Sequence, residues 1–310
     1  RYRFLYGGSR SAPRRLRPRL VSMSNDMTTL TRQEQTYTLY NEDCITGMRT
    51  RLAPGSVDAI VTSPPYNLGT SYKGYDDTMA REDYLQWIDR WAAAAAETLN
   101  EDGSLFLNIG GKPSNPWGPF EVLVELRKHF TLQNVIHWVK SIAIQKEDVG
   151  RYPGITGNVS VGHYKPINSP RYINDCHEYI FHLTKSGSIS LDRLAIGVEY
   201  QDKSNISRWG GADRPDRRCR GNTWFVPYKT IKSRDKQRPH PATFPVKIPK
   251  MCLQLHGVEH TGLVLDPFMG IGNTAVACAE LGLSCVGFEI EKDYCAQAAQ
   301  FVQAAIDNAE

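Results

Sequence analysis

The chain has 310 residues, 41% of them hydrophobic and 23% charged, with seven cysteines and a formal net charge of +4. That length suits one large domain, or one domain carrying a substantial insert. No apolar run approaches the roughly 20 residues that a membrane span needs, and the odd cysteine count without a CxxC pair argues against a structural zinc site or a disulfide scaffold and for a reduced, cytoplasmic protein.

Residues 1–22 hold seven arginines and no acid, which leaves the rest of the chain slightly acidic. Such a stretch reads as a transit peptide, a nucleic-acid-binding arm or translated upstream sequence, with Met23 and Met27 as natural starts. Residues 1–36 are therefore expected to form a poorly ordered basic tail.

From residue 37 the pattern becomes regular. "YTLY" reads as a strand, and 45–52 as an amphipathic helix followed by a Pro54-Gly55 turn. "VDAIVT" is a buried strand that runs directly into Ser63-Pro64-Pro65-Tyr66. Two consecutive prolines donate no backbone hydrogen bond and force extended geometry. The strand therefore stops in a stiff turn that presents Ser63 and Tyr66 at its carboxyl end, where ligands sit in open α/β sheets. "REDYLQWIDRWAAAAAETL" has helix formers at helical spacing, and "GSLFLNIG" is a buried strand. "PFEVLVELRKHF" is a helix with an early proline, and "TLQNVIHWVK" is a strand.

Residues 144–172, rich in Gly, Pro, Asn and aromatics, are long for a structureless connection, which marks them as functional or mobile. "CHEYIFHLTK" is again a strand. Residues 188–239 show weak periodicity and read as an insert outside the central sheet. A helix at 246–256, the strand "GLVLDPF", the helix "NTAVACAELG", the strand "SCVGFEI" and a helix at 292–307 complete the chain. Strands alternating with helices predict a doubly wound, mostly parallel α/β sheet.

Two stretches carry chemistry. Between residues 203 and 250 there are thirteen Lys or Arg against three Asp, a polyanion-facing surface or a solvated charged loop. In "LDPFMGIGNTAVACAELGLSCVGFEI", a buried strand ends at Asp266, Gly270 and Gly272 permit a tight turn, and a helix begins at once. Glu289 lies 23 residues beyond Asp266, the placement of an acid that bonds ribose hydroxyls. The turn is neither a GxGxxG fingerprint nor a P-loop.

DPFMGIGNT resembles the S-adenosylmethionine (AdoMet) motif of amino-group DNA methyltransferases, and TSPPY resembles their catalytic motif. The catalytic motif precedes the cofactor motif with a charged insert between, an order similar to the permuted β class. CHEYIFHLTK and HPATFPVKIP resemble two further family segments, so the likeness spans 37–304. It implies a Rossmann-like AdoMet-dependent methyltransferase fold, with a catalytic half at 37–187, a target-recognition insert at 188–239 and an AdoMet-binding half at 240–310.

By the same resemblance, Asp266, Phe268, Gly270, Gly272, Asn273 and Thr274 form the floor of an AdoMet pocket, and Glu289 binds the ribose. Asp43 and Cys44 match positions at the adenine ring, and Thr243 and Phe244 those near the methionine carboxylate. The Ser63 hydroxyl and the Pro64 carbonyl would accept from an exocyclic amine and localise its lone pair, with the Pro64-Pro65 turn fixing both acceptors. Tyr66 would stack on the extruded base. No Pro-Cys dipeptide of the C5-cytosine type is present, so no covalent base adduct is expected.

SPPY resembles the N4-cytosine members and DPPY the N6-adenine members. The implied activity is site-specific N4-cytosine methylation of double-stranded DNA, in a restriction–modification or solitary modification system, with N6-adenine as the alternative. An RNA or protein amide methyltransferase usually has the reverse motif order with an NPPY-like motif. A catalytically inactive DNA-binding subunit ranks lower, because SPPY and the cofactor acid are intact. Arg208, Arg214, Arg217, Arg218, Arg220, Lys232, Arg234, Lys236 and Arg238 are candidates for phosphate contacts. The family also implies a homodimer and a cognate restriction endonuclease as partners, a nucleoid-associated cytoplasmic location, and no metal.

Overall fold

The computed structural model describes the backbone of residues 19–24 and residues 26–70, 75, 77–162, 167–204, 206, 215–227 and 243–309. Among the described residues, ten strands form the central sheet: β1 (Arg19–Ser24), β2 (Met27–Arg32), β3 (Gln35–Tyr40), β4 (Val57–Thr62), β5 (Leu99–Ile109), β6 (Thr131–Val139), β9 (His177–Thr184), β10 (Thr223–Phe225), β11 (Leu263–Asp266) and β12 (Ser284–Phe288). Across the sheet their order is β1-β2-β3-β12-β11-β4-β5-β9-β6-β10. From β3 to β5 all neighbours run parallel, whereas β9 is antiparallel to both β5 and β6. A separate antiparallel pair, β7 (Ser141–Ile144) and β8 (Val159–Gly162), lies outside this sheet.

Strand alternation supplies both faces with apolar side chains. Along β5, Leu105, Leu107 and Ile109 join one buried cluster while Phe106 joins the other. The first cluster is covered by α1 (Cys44–Arg51), α2 (Arg81–Thr98) and α3 (Gly118–Leu126). The second is covered by α4 (Lys247–His256), α5 (Asn273–Leu281) and α6 (Lys292–Asn308). This three-layer arrangement is the expected doubly wound α/β sheet. Among the described residues, no helix is long and apolar enough to cross a membrane.

The topology also locates a crevice. β4 and β11 are neighbours, but α2 follows β4 onto one face and α5 follows β11 onto the other. The two connections diverge at the carboxyl ends of adjacent parallel strands, which is a topological switch point. TSPPY follows β4 and DPFMGIGNT follows β11, so the two sequence motifs meet there.

Two expectations need correction. The tail expected over 1–36 includes β1, β2 and the start of β3: "MTTLTR" pairs antiparallel with β3 and buries Leu30, and Gln33, with φ of 52°, turns it back onto β3. The insert expected outside the sheet contributes β10, which pairs parallel with β6 and buries Trp224 to 1% exposure. Residues 144–172, too long for a structureless connection, include β8, which pairs back onto β7 at the start of the segment.

Candidate active site

Asp266 ends β11 fully buried, so it does not line the crevice. Its Oδ1 accepts from Thr62 Oγ1 on β4 at 2.6 Å and from the Phe268 amide at 3.1 Å. Burial is the main influence on this carboxyl and pushes its pKa up to about 6. Beyond it the backbone bends through Gly270 (φ 54°) and Gly272 (φ 84°). A Cβ on Gly272 would lie 2.9 Å from the Ala298 Cβ, so this turn seats directly on α6. Thr274 Oγ1 donates to the Val61 carbonyl at 3.2 Å from a fully buried position. Asp266, Gly272 and Thr274 thus form the underside of the turn and hold it against β4.

Above them opens a cleft lined by Asp43, Cys44, Thr243, Phe244, Phe268, Gly270, Asn273 and Glu289 from the cofactor set and by Ser63, Pro64, Pro65 and Tyr66 from the catalytic set. Its empty volume, continuous with solvent, is about 1040 Å³. Glu289 Oε2 accepts from the Gly270 amide and Oε1 from the Glu291 amide, each at 2.8 Å. Burial outweighs these two bonds and raises the Glu289 pKa to about 7. Asp43 caps α1 by accepting from the Thr46 amide at 2.9 Å. Burial drives the Cys44 thiol well above its ordinary range, so it stays protonated. Asn273 Nδ2 donates to the Phe244 carbonyl at 2.6 Å and ties the cleft rim to the start of α5.

Phe268 is both wall and core: its ring lies 5.4 Å from Trp87 and 5.5 Å, edge-on, from Trp91. Trp87 also lines the cleft, although the sequence reading saw it only as one apolar position of α2.

The Ser63–Tyr66 turn is braced from several sides. Tyr84 on α2 donates to the Pro65 carbonyl at 2.8 Å. The buried Asp77 carboxylate accepts from the Asn67, Leu68 and Thr70 amides at 2.8–3.0 Å. Ser63 Oγ and the Tyr66 hydroxyl are 2.8 Å apart. Asn108, at the end of β5, donates through Nδ2 to the Tyr66 oxygen at 2.6 Å and to Glu178 Oε2 at 2.7 Å. Lys140 Nζ lies 2.9 Å from Glu178 Oε1, and both side chains are largely buried. Asn108, Lys140 and Glu178 escaped the sequence reading. The available signal was a polar residue at the carboxyl end of one apolar strand ("LFLNIG") and an acid at the start of another ("HEYIF").

The family model for DNA methylases that modify amino groups at N6 or N4 matches residues 57–300. The chain belongs to the N6/N4 DNA methylase family. It is similar to the type II methyltransferase M.Cfr9I of Citrobacter freundii, 29% identical over 83% of this chain and 84% of that protein. Among solved structures, it is similar in fold to the PvuII DNA methyltransferase (cytosine-N4-specific), with a TM-score of 0.60 and 17% identity over 88% of this chain and 93% of that one. A putative DNA modification methylase of Thermus thermophilus complexed with AdoMet has a TM-score of 0.53 and 21% identity, over 86% and 93% of the two chains.

The methylase uses AdoMet, and its cleft fits that molecule. A carboxylate bound by two backbone amides keeps lone pairs for ribose hydroxyls, and Phe268, Trp87 and Phe288 give apolar walls for a flat base. Bound AdoMet supplies a methyl group activated by a sulfonium. What the protein contributes is the placement of Ser63, Pro64 and Tyr66 in the same cleft.

Of the arginines and lysines expected to face DNA, the described residues of the methylase include Arg217, Arg218 and Arg220. Arg217 and Arg218 are exposed. Arg220 is half-buried and donates through Nε to the Ile196 carbonyl at 2.9 Å, so it braces the insert. Arg208, Arg214, Lys232, Arg234, Lys236 and Arg238 lie outside the described residues.

Proposed function

We propose that this methylase transfers the AdoMet methyl group to the exocyclic N4 amine of a cytosine turned out of duplex DNA at a specific sequence. An exocyclic amine is a weak nucleophile because its lone pair is delocalised into the ring. An acceptor aimed at its hydrogens localises that pair, and the Ser63 hydroxyl and Pro64 carbonyl are the acceptors at the cleft. The observation that carries the reading is Ser63 itself: the acceptor in the turn is uncharged, where the adenine-type motif has an aspartate. Tyr66 stacks on the extruded base, and Glu289, Asp43, Cys44, Phe268 and Asn273 hold the cofactor. Asp266, Gly272 and Thr274 support the cofactor turn from beneath. Exposed Arg217 and Arg218, with the basic residues of 203–250, neutralise phosphates. Similarity to a protein named as a type II methyltransferase supports a place in a modification system with an endonuclease acting on the same sequence.

The test is transfer of labelled methyl from AdoMet to mixed-sequence, unmethylated duplex DNA by the wild type and by Ser63→Ala. Label in DNA that is lost in Ser63→Ala, with AdoMet affinity retained, is the expected result. Equal incorporation by the variant would remove Ser63 from the mechanism.

A further inference from the structure

The hydroxyl pair at the cleft has a direction, and neighbouring groups set it. Asn108 Nδ2 carries two hydrogens, and its two nearest acceptors are the Tyr66 oxygen at 2.6 Å and Glu178 Oε2 at 2.7 Å; Ser63 Oγ is farther, at 3.5 Å. The single Tyr66 hydroxyl hydrogen then chooses mainly between Ser63 Oγ at 2.8 Å and Glu178 Oε2 at 3.2 Å. A bond to an ionised acceptor is roughly twice as strong as one between neutral groups. Glu178 is such an acceptor: Lys140 pairs with it at 2.9 Å, and the two side chains are only 14% and 17% exposed. With Tyr66 donating to Glu178, the Ser63 hydroxyl donates to Tyr66, and both Ser63 lone pairs are left for a hydrogen-bond donor in the cleft. The opposite direction would turn a proton or a used lone pair toward the amine.

We infer that Glu178, anchored by Lys140 and Asn108, is a positioning residue that orients the Ser63–Tyr66 pair so that Ser63 Oγ accepts from the target amine, and that it takes up the proton that methylation releases. This rests on the function proposed above. As the new N–C bond forms from the nitrogen lone pair, the methyl–sulfur bond breaks and its electron pair stays on sulfur, leaving S-adenosylhomocysteine; an amine N–H bond then breaks and its electrons become the lone pair of the methylated nitrogen. The proton passes to Ser63 Oγ, the Ser63 proton to the Tyr66 oxygen, and the Tyr66 proton to the Glu178 carboxylate, which later releases it to water. No oxidant or further reactant is needed.

The test uses the full chain, AdoMet and mixed-sequence duplex DNA under single-turnover conditions. Glu178→Gln keeps the shape but replaces the charged acceptor with an amide that can donate. Its methylation rate should fall about 100-fold, the lower range for a lost acid–base group, while AdoMet and DNA affinities stay within about twofold, well under the tenfold that 1.4 kcal/mol represents. Glu178→Asp should recover part of the rate. Tyr66→Phe breaks the same chain, so adding Glu178→Gln to it should cost little more.

Wild-type rate in Glu178→Gln, additive losses in the double variant, or loss of both affinities in step with the rate would overturn the inference and leave a strap between β6 and β9. If Glu178→Gln does not fold, Tyr66→Phe and Lys140→Gln carry the test: slowed transfer with AdoMet affinity intact supports it, and unchanged rates overturn it. A wild type that methylates no DNA would instead refute the proposed function.

Discussion

Thr62 and Ser63 are adjacent in the chain and serve different halves of the cleft. Thr62 Oγ1 donates to the buried Asp266 carboxyl at 2.6 Å, whereas Ser63 Oγ meets Tyr66 at 2.8 Å. Thr62→Val keeps the shape and leaves a buried carboxyl short of one donor, so it should destabilise the fold by about 1–3 kcal/mol, measured by urea unfolding. Glu289→Gln removes the charge that two backbone amides present to the cleft. AdoMet affinity should drop by about 10–100-fold in that variant, the equivalent of about 1.5–3 kcal/mol for a hydrogen bond to a charged group. Calorimetric titration measures it, and unchanged affinity would take Glu289 out of the ribose site.

At the scale of elements, α1 rests on the cofactor strand. A Cβ on Gly47 would fall 2.2 Å from the Phe288 ring, and Phe288 stacks on Tyr40 at 5.4 Å beside the cleft. Gly→Ala inside a helix gains about 1 kcal/mol in propensity, but overpacking costs about 1–3 kcal/mol. The clash should prevail, so Gly47→Ala is expected to lower the melting temperature and weaken AdoMet binding together. A stabilised variant would show that α1 can shift freely.

The two cleft motifs were legible because each is a short local run: a strand, then prolines or glycines, then a helix. The network behind Ser63 was not, because Asn108, Glu178 and Lys140 meet only through the order β5-β9-β6. Its antiparallel register pairs Asn108 with Ile180 and Trp138 with Glu178. Three-residue β10 and four-residue β7 and β8 are too short for periodicity to reveal. Likewise, Arg220 looks like any other arginine of the basic block until the Ile196 carbonyl claims it.

At the scale of the molecule, burial divides the titratable groups into two opposing sets. Asp266 and Glu289 have folded pKa values raised to about 6 and about 7. Between their ordinary values and these, the folded state holds more protons than the unfolded state, so their contribution to stability declines as pH rises. His182 is lowered to about 3 and His256 is lowered too, chiefly by burial. Their contribution is complete above an ordinary histidine pKa and declines as pH falls below it. The sets oppose each other in mildly acidic solution, and substitution separates them. Relative to wild type, Glu289→Gln should gain stability steadily as pH rises from about 4.5 to about 7, then level off. Urea titrations of both proteins at several pH values measure this, and a constant difference would contradict a Glu289 pKa raised by burial.

The fold brings the glycine turn after β11 and the Ser63–Tyr66 turn after β4 into one cleft at the switch point, and the central claim is the chemistry proposed there. The most direct measurement is mass spectrometry of the nucleosides released from mixed-sequence duplex DNA after incubation with the protein and AdoMet. N4-methylcytosine is the predicted product. N6-methyladenine would keep the mechanism and contradict the assigned base, and DNA without any methylated base would contradict the account.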